Sequence, residues 1–337
     1  MIRVGVIGLA HVHAAGYVDA LMALDDVEFV GASEQNESLR SRWADESGLP
    51  SFEEHGALID AGVDAAIICT ATNEHWPVVE QLAGAGIHVL CEKPLATTLE
   101  DAHAIVRACD VADVLLMTAF PMRFSPPLIE GAAWIKEDRI GSVLAFTGTN
   151  NGCIPTDHAA WFADPVAAGG GAVMDHTVHL VDIMRWWLRS EPTEIFAETN
   201  QVLHPDAEVE TGGILTVTFD NGVVATVDFS WSRPTGYPTW GGLNIEAVGT
   251  DGVFAVDAFA ERLEMWSGGT ATWVDWGADP NLAMIDHFIG AVRGEHPLLI
   301  TGMDGLRATE AALAAYRSAE IGQPVRFDSL TPGKPIR

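Results

Sequence analysis

The sequence predicts an α/β protein: a doubly wound parallel sheet at the N-terminal end, then an α+β unit built on a large open, mainly antiparallel sheet. Three observations support this fold. Strand-like and helix-like segments alternate strictly as far as residue 117, which is typical of a parallel sheet with helices on both faces. A glycine directly follows the first strand-like segment. Beyond residue 143, strand-like segments are joined by tight-turn sequences, which predict antiparallel hairpins.

The first unit, residues 1–120, starts with a β-branched strand at 2–7, a helix at 10–24 and a second strand at 27–32. A strand, a glycine turn and a helix that returns to a parallel strand form a βαβ unit. The alternation then continues through helix 53–61, strand 65–69, helix 74–83, strand 87–90, helix 99–109 and strand 114–117. Such a sheet binds its ligands at the carboxyl ends of the strands.

The turn after the first strand is a weak match to the dinucleotide-binding pattern G-x-G-x-x-G, because Gly8 is the only one of the three glycines present. Ala10 and His13 stand at the other two positions. We assign Gly8, Ala10, His11 and Val12 to the loop facing the cofactor phosphates, since a helix N-terminus beside tight backbone binds anions. His11 and His13 either donate hydrogen bonds to phosphate or cap the helix, and the pattern leaves both roles open.

An acidic residue is expected at the end of the second strand, and Glu34 fits best. A carboxylate there accepts hydrogen bonds from both ribose hydroxyls and repels a 2′-phosphate, which favours NAD over NADP. The alternative is a solvated acid in the polar loop 34–37, with Arg40 or Arg42 reaching a phosphate.

Polar residues follow two further strands and are expected to line the cofactor crevice, at Thr70, Asn73 and His75 and again at Glu92 and Lys93. Lysine is rare in this chain, and Pro94 restricts the backbone of Lys93 to extended geometry. An ammonium held in a crevice donates a hydrogen bond to a substrate oxygen and stabilises negative charge on it. The alternative is a loop lysine paired with Glu92.

Three glycines at 169–171 precede an apolar-periodic run that continues to residue 188, which predicts a helix. Asp175 and His179 lie four residues apart on one face of it, so the carboxylate is placed to orient the imidazole as a base. The alternative is an acid that complements the helix dipole and a histidine that packs. His176 is rotated about 100° from that face, so Asp175, His176, His179 and Asp182 do not converge on one ion and we expect no metal.

The formal net charge of −29 excludes nucleic acid and anionic membrane surfaces as partners. No apolar run approaches the roughly 18 residues that a spanning helix needs. The four cysteines show no close C-x-x-C spacing, so we expect reduced thiols, neither disulfide nor zinc, and a cytoplasmic protein.

The second unit, residues 121–337, is predicted to carry strands at 143–149, 194–199, 214–219, 223–231, 243–249, 253–257 and 262–266, with tight turns at 220–222 and 250–252. One face of this sheet should cover the helix that bears Asp175, and the other is free to meet a second subunit. A helix near 304–320 is expected to pack back on the first unit. Trp161, Trp231 and Trp240 either form a wall for substrate stacking or belong to the core and subunit interface. His158 either contacts substrate hydroxyls or lies in a solvated loop.

Three elements in this order carry a family resemblance: AGIHVLCEKPLA at 85–96, the R-F-x-P element at 123–126 and GGGAVMDHTVHLVD at 169–182. Together they resemble the Gfo/Idh/MocA family, oxidoreductases related to glucose–fructose oxidoreductase and inositol dehydrogenase. The resemblance covers nearly the whole chain, including the closing segment 281–327. Departures from the family pattern are Ala10, His13 and Thr177.

The resemblance implies roles for individual residues. Lys93 matches the family's catalytic lysine, which contacts the reacting hydroxyl, and the Lys93–Pro94 peptide bond is often cis there. Asp175 matches the substrate-binding carboxylate and His179 the general acid/base. The cofactor-side matches are Thr70, Asn73, His75 and Glu92, the last beside the nicotinamide ribose. The substrate-binding candidates are Arg123, His158, Trp161, Asp175 and His179.

The expected function is that of an NAD(P)-dependent dehydrogenase acting on a sugar, a sugar derivative or a cyclitol, with NAD favoured over NADP. The expected assembly is a homodimer or homotetramer formed through the second sheet. Two rivals remain: a glycosidase that uses NAD for a transient oxidation, and a non-catalytic nucleotide-binding sensor.

Overall fold

The computed structural model of the protein describes residues 1–239, 241–267, 270–275 and 277–330. Trp240, one of the candidates for substrate stacking, lies outside the described residues. None of the described helices combines the length and apolar content needed to cross a membrane.

The first sheet has six parallel strands in the order β3-β2-β1-β4-β5-β6, which confirms the predicted doubly wound architecture. Its strands are β1 (Ile2–Ile7), β2 (Val27–Ser33), β3 (Ser51–Phe52), β4 (Ala65–Ile68), β5 (His88–Cys91) and β6 (Leu116–Thr118). Its helices are α1 (Ala14–Met22), α2 (Glu37–Ser47), α3 (His55–Asp60), α4 (His75–Gly84) and α5 (Leu99–Ala112). The strand order reverses between β1 and β4, and a crevice for a ligand forms at such a point.

Two helices of this half differ from the prediction, and the short strand β3 was not predicted. Helix α1 begins at Ala14 rather than at residue 10, so residues 8–13 form a longer loop. Helix α2 was not predicted. None of its residues is buried, so its sequence lacks apolar residues at helical spacing. Its ends carry the signal instead: Asn36 accepts a hydrogen bond from the Leu39 N–H, and Gly48 ends the helix in the left-handed conformation.

The second sheet has seven strands in the order β12-β11-β7-β10-β9-β8-β15, and all neighbours are antiparallel except β7 and β10. The strands of this sheet are β7 (Val143–Gly152), β8 (Pro192–Asn200), β9 (Gly212–Phe219), β10 (Val224–Ser230), β11 (Gly241–Gly249), β12 (Val253–Asp257) and β15 (Val325–Arg326). Two further strands, β13 (Arg262–Ser267) and β14 (Thr270–Asp275), lie outside it. The open, mainly antiparallel sheet is thus confirmed. The predicted strand at 262–266 is present as β13, but it pairs with the unpredicted β14 in a separate hairpin and not with the seven-stranded sheet.

The helices of this half are α6 (Pro126–Lys136), α7 (Val178–Leu188), α8 (Pro280–Val292) and α9 (Gly302–Ile321). Helix α7 lies against the inner face of the second sheet, where a side chain at Gly148 would meet Leu180 and Met184. Helix α9 reaches both sheets. Gly305 packs directly on Thr118 of β6, and the Ser318 hydroxyl accepts a hydrogen bond from the backbone of β8.

The outer face of the second sheet exposes apolar side chains from four strands: Ile214, Val224, Val248 and Val253. On β9 and β10 exposed and buried residues alternate, as expected for a sheet with one face on the core. We call these four residues and the face they share the outer sheet face.

Arg123 requires a correction, because the structure places it in a buried ion pair and not in a substrate pocket. Its guanidinium donates to both oxygens of Asp182, at 2.8 and 2.6 Å, and to Asp304 Oδ1 at 3.0 Å. Its remaining nitrogen donates to the backbone oxygen of Leu299, and only 3% of the residue is exposed. Arg123 therefore ties the turn before α6 to α7 and α9.

Replacing Arg123 with methionine should lower the free energy of unfolding by about 3–5 kcal/mol, because Asp182 becomes an unpaired buried charge. Urea denaturation measures the change. Arg42→Met, at an exposed position of α2, is the control and should stay within about 0.5 kcal/mol of the parent protein. A stable Arg123→Met protein with a raised KM for its substrate would restore Arg123 to the substrate site.

Candidate active site

Gly8 lies where the carboxyl ends of β1 and β4 meet. It has φ +85, and a Cβ at this position would come within 2.6 Å of the Thr70 backbone nitrogen. No other residue fits without displacing backbone. The loop that follows Gly8 therefore runs tightly past the end of β4, at the position that the pyrophosphate cradle takes in a dinucleotide-binding fold.

Glu34 stands at the end of β2 beside this loop. Its Oε2 accepts a hydrogen bond from the Leu9 N–H at 2.8 Å, and its Oε1 accepts from the Asn36 N–H at 2.9 Å. Arg40 donates to the backbone oxygen of Glu34 and lies 3.7 Å from the Glu53 carboxylate, while Arg42 is exposed on α2. Both carboxylate oxygens of Glu34 are thus held by backbone N–H groups at the strand end where a dinucleotide-binding fold places its ribose-binding acid.

His11 does not face the cradle as a phosphate donor would. Only 2% of it is exposed, and its ring lies against Phe162 and Trp161, at centroid distances of 5.2 and 5.9 Å. Burial lowers the pKa of His11 to about 3, and the nearby Glu92 charge only partly opposes that shift. His11 is therefore a neutral packing group at neutral pH.

His13 is bonded to Glu92, which is fully buried. His13 Nδ1 lies 2.7 Å from Glu92 Oε1, and Glu92 Oε2 accepts from the Lys93 backbone N–H at 3.0 Å. Burial raises the pKa of Glu92, but His11, His13 and Lys93 outweigh it and hold that pKa well below its usual range. His13, which its position in the sequence assigns to the phosphate loop, thus connects that loop to the segment after β5 that contains Glu92 and Lys93.

His11, His13 and Glu92 are also the residue types that bind metals, and their ligand atoms lie within 4.8 Å of one another. Adjacent ligands of a tetrahedral zinc lie about 3.3 Å apart, given bonds of about 2.0 Å. The 2.7 Å separation of His13 and Glu92 is instead that of a direct hydrogen bond.

The segment after β4 contributes one orphaned polar atom to the crevice. His75 is buried, its Nδ1 bonds the Leu95 backbone oxygen at 3.1 Å, and its Nε2 has no partner among the described residues. Thr70 is buried and donates to the backbone oxygen of Ala71. Asn73 is exposed, and its backbone N–H donates to the Ala167 oxygen.

Lys93 follows β5, and the Lys93–Pro94 bond is cis, as the resemblance implies. The ammonium is 5% exposed and donates to Asp175 Oδ1 at 2.8 Å and to the Asp175 backbone oxygen at 3.3 Å. The predicted alternative, a side-chain pair with Glu92, is therefore wrong. Lys93 belongs to the crevice and points at the residues around Asp175.

Asp175 also accepts from Trp231 Nε1, at 2.9 Å on its second oxygen. Burial raises the pKa of Asp175, but the Lys93 charge and the hydrogen bonds from Lys93 and Trp231 outweigh it and hold that pKa well below its usual range. Trp231 is 1% exposed. Of the two roles considered for Trp231, the structure supports a core residue, which also fixes the carboxylate.

The helix after the three glycines starts differently from the prediction. Residues Val173–Thr177 form a π-helical turn, and the α-helix begins only at Val178. A π turn holds more residues than an α turn, so it changes the direction of the side chains before it. Asp175 faces Lys93 and Trp231, and the prediction that it orients His179 by hydrogen bonding is corrected accordingly.

His179 is 8% exposed, and its Nδ1 is buried with no hydrogen-bond partner among the described residues. Burial and the Lys93 charge lower the pKa of His179 well below its usual value, and Asp175 opposes them only in part. The imidazole is therefore neutral at neutral pH and within electrostatic reach of Lys93. A neutral imidazole accepts a proton.

Glu210 and Tyr316 contact the start of this helix, a role that the sequence did not predict for either residue. Glu210 Oε1 accepts from the backbone N–H groups of Gly171 and Val173, at 3.1 and 2.9 Å. The Tyr316 hydroxyl donates to the same oxygen at 2.8 Å and accepts from the Gly171 N–H. A carboxylate here satisfies free N–H groups at the start of the helix and complements its dipole. No local pattern signals this, because Glu210 lies on a distant loop.

Trp161 lies beside this centre. Its ring stacks on Phe162 at a centroid distance of 3.9 Å, its Nε1 donates to the Ala10 oxygen, and the two rings line one pocket with Lys93 and Asp175. His158 is exposed on the segment before it. The structure brings Trp161 to Lys93 and Asp175 and gives His158 no contact with them among the described residues.

Comparison with known proteins identifies both halves. Residues 2–120 match the oxidoreductase family with an NAD-binding Rossmann fold, and residues 130–255 match the GFO/IDH/MocA C-terminal domain. Myo-inositol 2-dehydrogenase of Thermotoga maritima is 26% identical, over 97% of this chain and 99% of its own length. D-xylose 1-dehydrogenase (NADP(+)) 2 of Haloferax volcanii is 30% identical, over 96% and 99%.

Among solved structures, GenD2 from gentamicin A biosynthesis in complex with NAD superposes with a TM-score of 0.87 at 25% identity, covering 96% of each chain. The six parallel strands of the first sheet agree with the NAD-binding Rossmann fold of the matched family. The chain belongs to the Gfo/Idh/MocA family of oxidoreductases.

Proposed function

We propose that this protein oxidises one hydroxyl-bearing carbon of a sugar, a sugar derivative or a cyclitol, with NAD as the cofactor, and catalyses the reverse reduction. The observation that carries the proposal is a buried ammonium, Lys93, held by Asp175 at 2.8 Å within electrostatic reach of the neutral imidazole of His179. A proton acceptor and a fixed cation together suit the deprotonation of a hydroxyl.

Each residue has a distinct role in the proposed reaction. His179 accepts the hydroxyl proton, and Lys93 donates a hydrogen bond to the same oxygen as negative charge develops on it. Asp175 positions the Lys93 ammonium, and Trp231 fixes the second oxygen of Asp175. Bound NAD supplies the hydride acceptor. In the reverse direction His179 returns its proton to the carbonyl oxygen.

We infer that residues 1–120 bind the cofactor, through Gly8 and Glu34, and that residues 121–337 hold the substrate and mediate assembly. We also place the protein in the cytoplasm. Cys69, Cys91 and Cys109 are buried free thiols and Cys153 is a half-buried one, which suits a reducing compartment.

Nicotinamide reduction with NAD and NADP across aldoses, inositols and glycosides tests the function. We expect turnover with a sugar or cyclitol, faster with NAD, and its loss in Lys93→Met. A cleaved glycoside without net NADH would indicate a glycosidase instead. Nucleotide binding without turnover of any compound would indicate a sensor.

His179→Gln should lower kcat about 10²–10⁴-fold, because the proton acceptor is lost, while the Kd for NAD is unchanged. Steady-state kinetics and calorimetric titration with NAD measure the two effects. The control is His103→Gln, a partly exposed histidine of α5, which should keep full turnover. Full turnover in His179→Gln would overturn the assignment of the base.

Gly8→Ala should weaken NAD binding at least about tenfold, because the new methyl group would collide with the backbone at Thr70 and positive φ is costly for alanine. The matched control is Gly16→Ala in α1, where a Cβ meets nothing within 4 Å. Calorimetric titration with NAD compares the two variants. Equal affinity in both would contradict a cofactor loop at Gly8.

We infer that the outer sheet face joins copies of this chain into a dimer or tetramer, because it exposes Ile214, Val224, Val248 and Val253 on one surface. Ile214→Glu combined with Val248→Glu should therefore release monomers, because charge is placed in an apolar contact. Light scattering after size exclusion measures the mass. The control is Val111→Glu, an exposed apolar residue of α5. A monomeric parent protein would contradict the inference.

A further inference from the structure

The buried centre has an unbalanced charge. Among the described residues it holds two carboxylates, Glu92 and Asp175, and one ammonium, Lys93, all under 9% exposed. The Lys93 ammonium is engaged by Asp175, at 2.8 Å to Oδ1 and 3.3 Å to the backbone oxygen. Glu92 has no lysine or arginine partner of its own among the described residues: it accepts from the backbone N–H of Lys93 and meets the His13 ring at 2.7 Å. Glu92 is therefore the carboxylate without a permanent cation of its own.

The surrounding imidazoles do not restore the balance. Burial lowers the pKa of His11 to about 3 and that of His176 to about 4. It also lowers the pKa of His75 and His179. These four rings are neutral at neutral pH, and His13 joins Glu92 through a single 2.7 Å hydrogen bond.

The cofactor of the proposed reaction exists in two charge states at its nicotinamide ring, which is cationic when oxidised and neutral when reduced. The reacting carbon bears the oxygen that Lys93 holds, and the ring must reach that carbon. Glu92 directly precedes Lys93 and contacts the cofactor loop through His13. Its charge therefore acts on the ring at short range, in a buried site where screening is weak.

We propose that the buried carboxylate of Glu92, beside Lys93 and bonded to His13, sets the preference of this site for NAD⁺ over NADH. The inference rests on the proposed function only in placing the nicotinamide at Lys93. This preference bears on the direction of the reaction. A site that stabilises the oxidised cofactor makes the bound reduced cofactor a stronger reductant, and so favours carbonyl reduction.

The test is the ratio of the dissociation constants for NADH and NAD⁺, measured by calorimetric titration of the full chain without sugar. Glu92→Gln keeps the shape of the side chain and removes its charge. It should lower the ratio about tenfold to a hundredfold, the size expected for partly buried unit charges within about 10 Å. A merely structural role for Glu92 would change both affinities together and leave the ratio as it was.

A matched pair at His13 keeps Glu92 in place should Glu92→Gln fail to fold. His13→Lys brings a permanent cation against the carboxylate and should lower the ratio as Glu92→Gln does. His13→Gln keeps a hydrogen-bond donor without charge and is the matched control, whose ratio should exceed that of His13→Lys. The same ratio in His13→Lys as in His13→Gln would overturn the proposal.

Failure of this inference is distinguishable from failure of the proposed function, because the titration needs no turnover. A protein that shows the expected ratios and oxidises no sugar loses the proposed function and keeps the role of Glu92. A protein that oxidises a sugar and shows no change of ratio in Glu92→Gln or His13→Lys keeps the proposed function and loses the role of Glu92.

Discussion

The buried ion pair between Lys93 and Asp175 is the interaction on which the rest of the site depends. Removing two such charges from water costs several kcal/mol per ion, and only good geometry with every remaining polar atom satisfied offsets that cost. Here Lys93 follows β5 of the first sheet, whereas Trp231, which satisfies the second oxygen of Asp175, directly follows β10 of the second. The pair therefore links the two sheets, which α9 also bridges.

The π turn at Val173–Thr177 follows from the same requirement. Asp175 must turn toward Lys93 and Trp231 while His179, one turn later, stays free to accept a proton. The turn is fixed before it by Glu210 and Tyr316, which bind the backbone at Gly171, and Thr177 donates to the Val173 oxygen within it. Two carboxylates thus act at this short segment: Glu210 binds its backbone, and Asp175 pairs with Lys93.

Much of the fold could be predicted from the sequence. The alternation of strand-like and helix-like segments, and the turn residues between strands, can be recognised within short windows of the chain. Gly8 stood out because a glycine directly after a strand indicates a tight turn, and Lys93 because a lysine at the end of a buried strand does not serve solubility. The features that escaped depend on distant partners. Glu210 meets the helix start across 39 residues, and Arg123 binds Asp182 across 59. Neither pairing leaves a pattern within any window of the chain.

The departure from the dinucleotide-binding pattern at His13 gives that position a different structural role. The third glycine of the dinucleotide pattern allows close packing of helix on strand, but α1 here begins after His13. His13 therefore lies outside the helix, and its ring reaches Glu92 at 2.7 Å. Glycine at that position would leave Glu92 without this donor in a fully buried setting, and an unsatisfied buried carboxylate is costly. The departure at His13 and the acid at Glu92 are thus one structural unit, which joins the phosphate loop to the strand that presents Lys93.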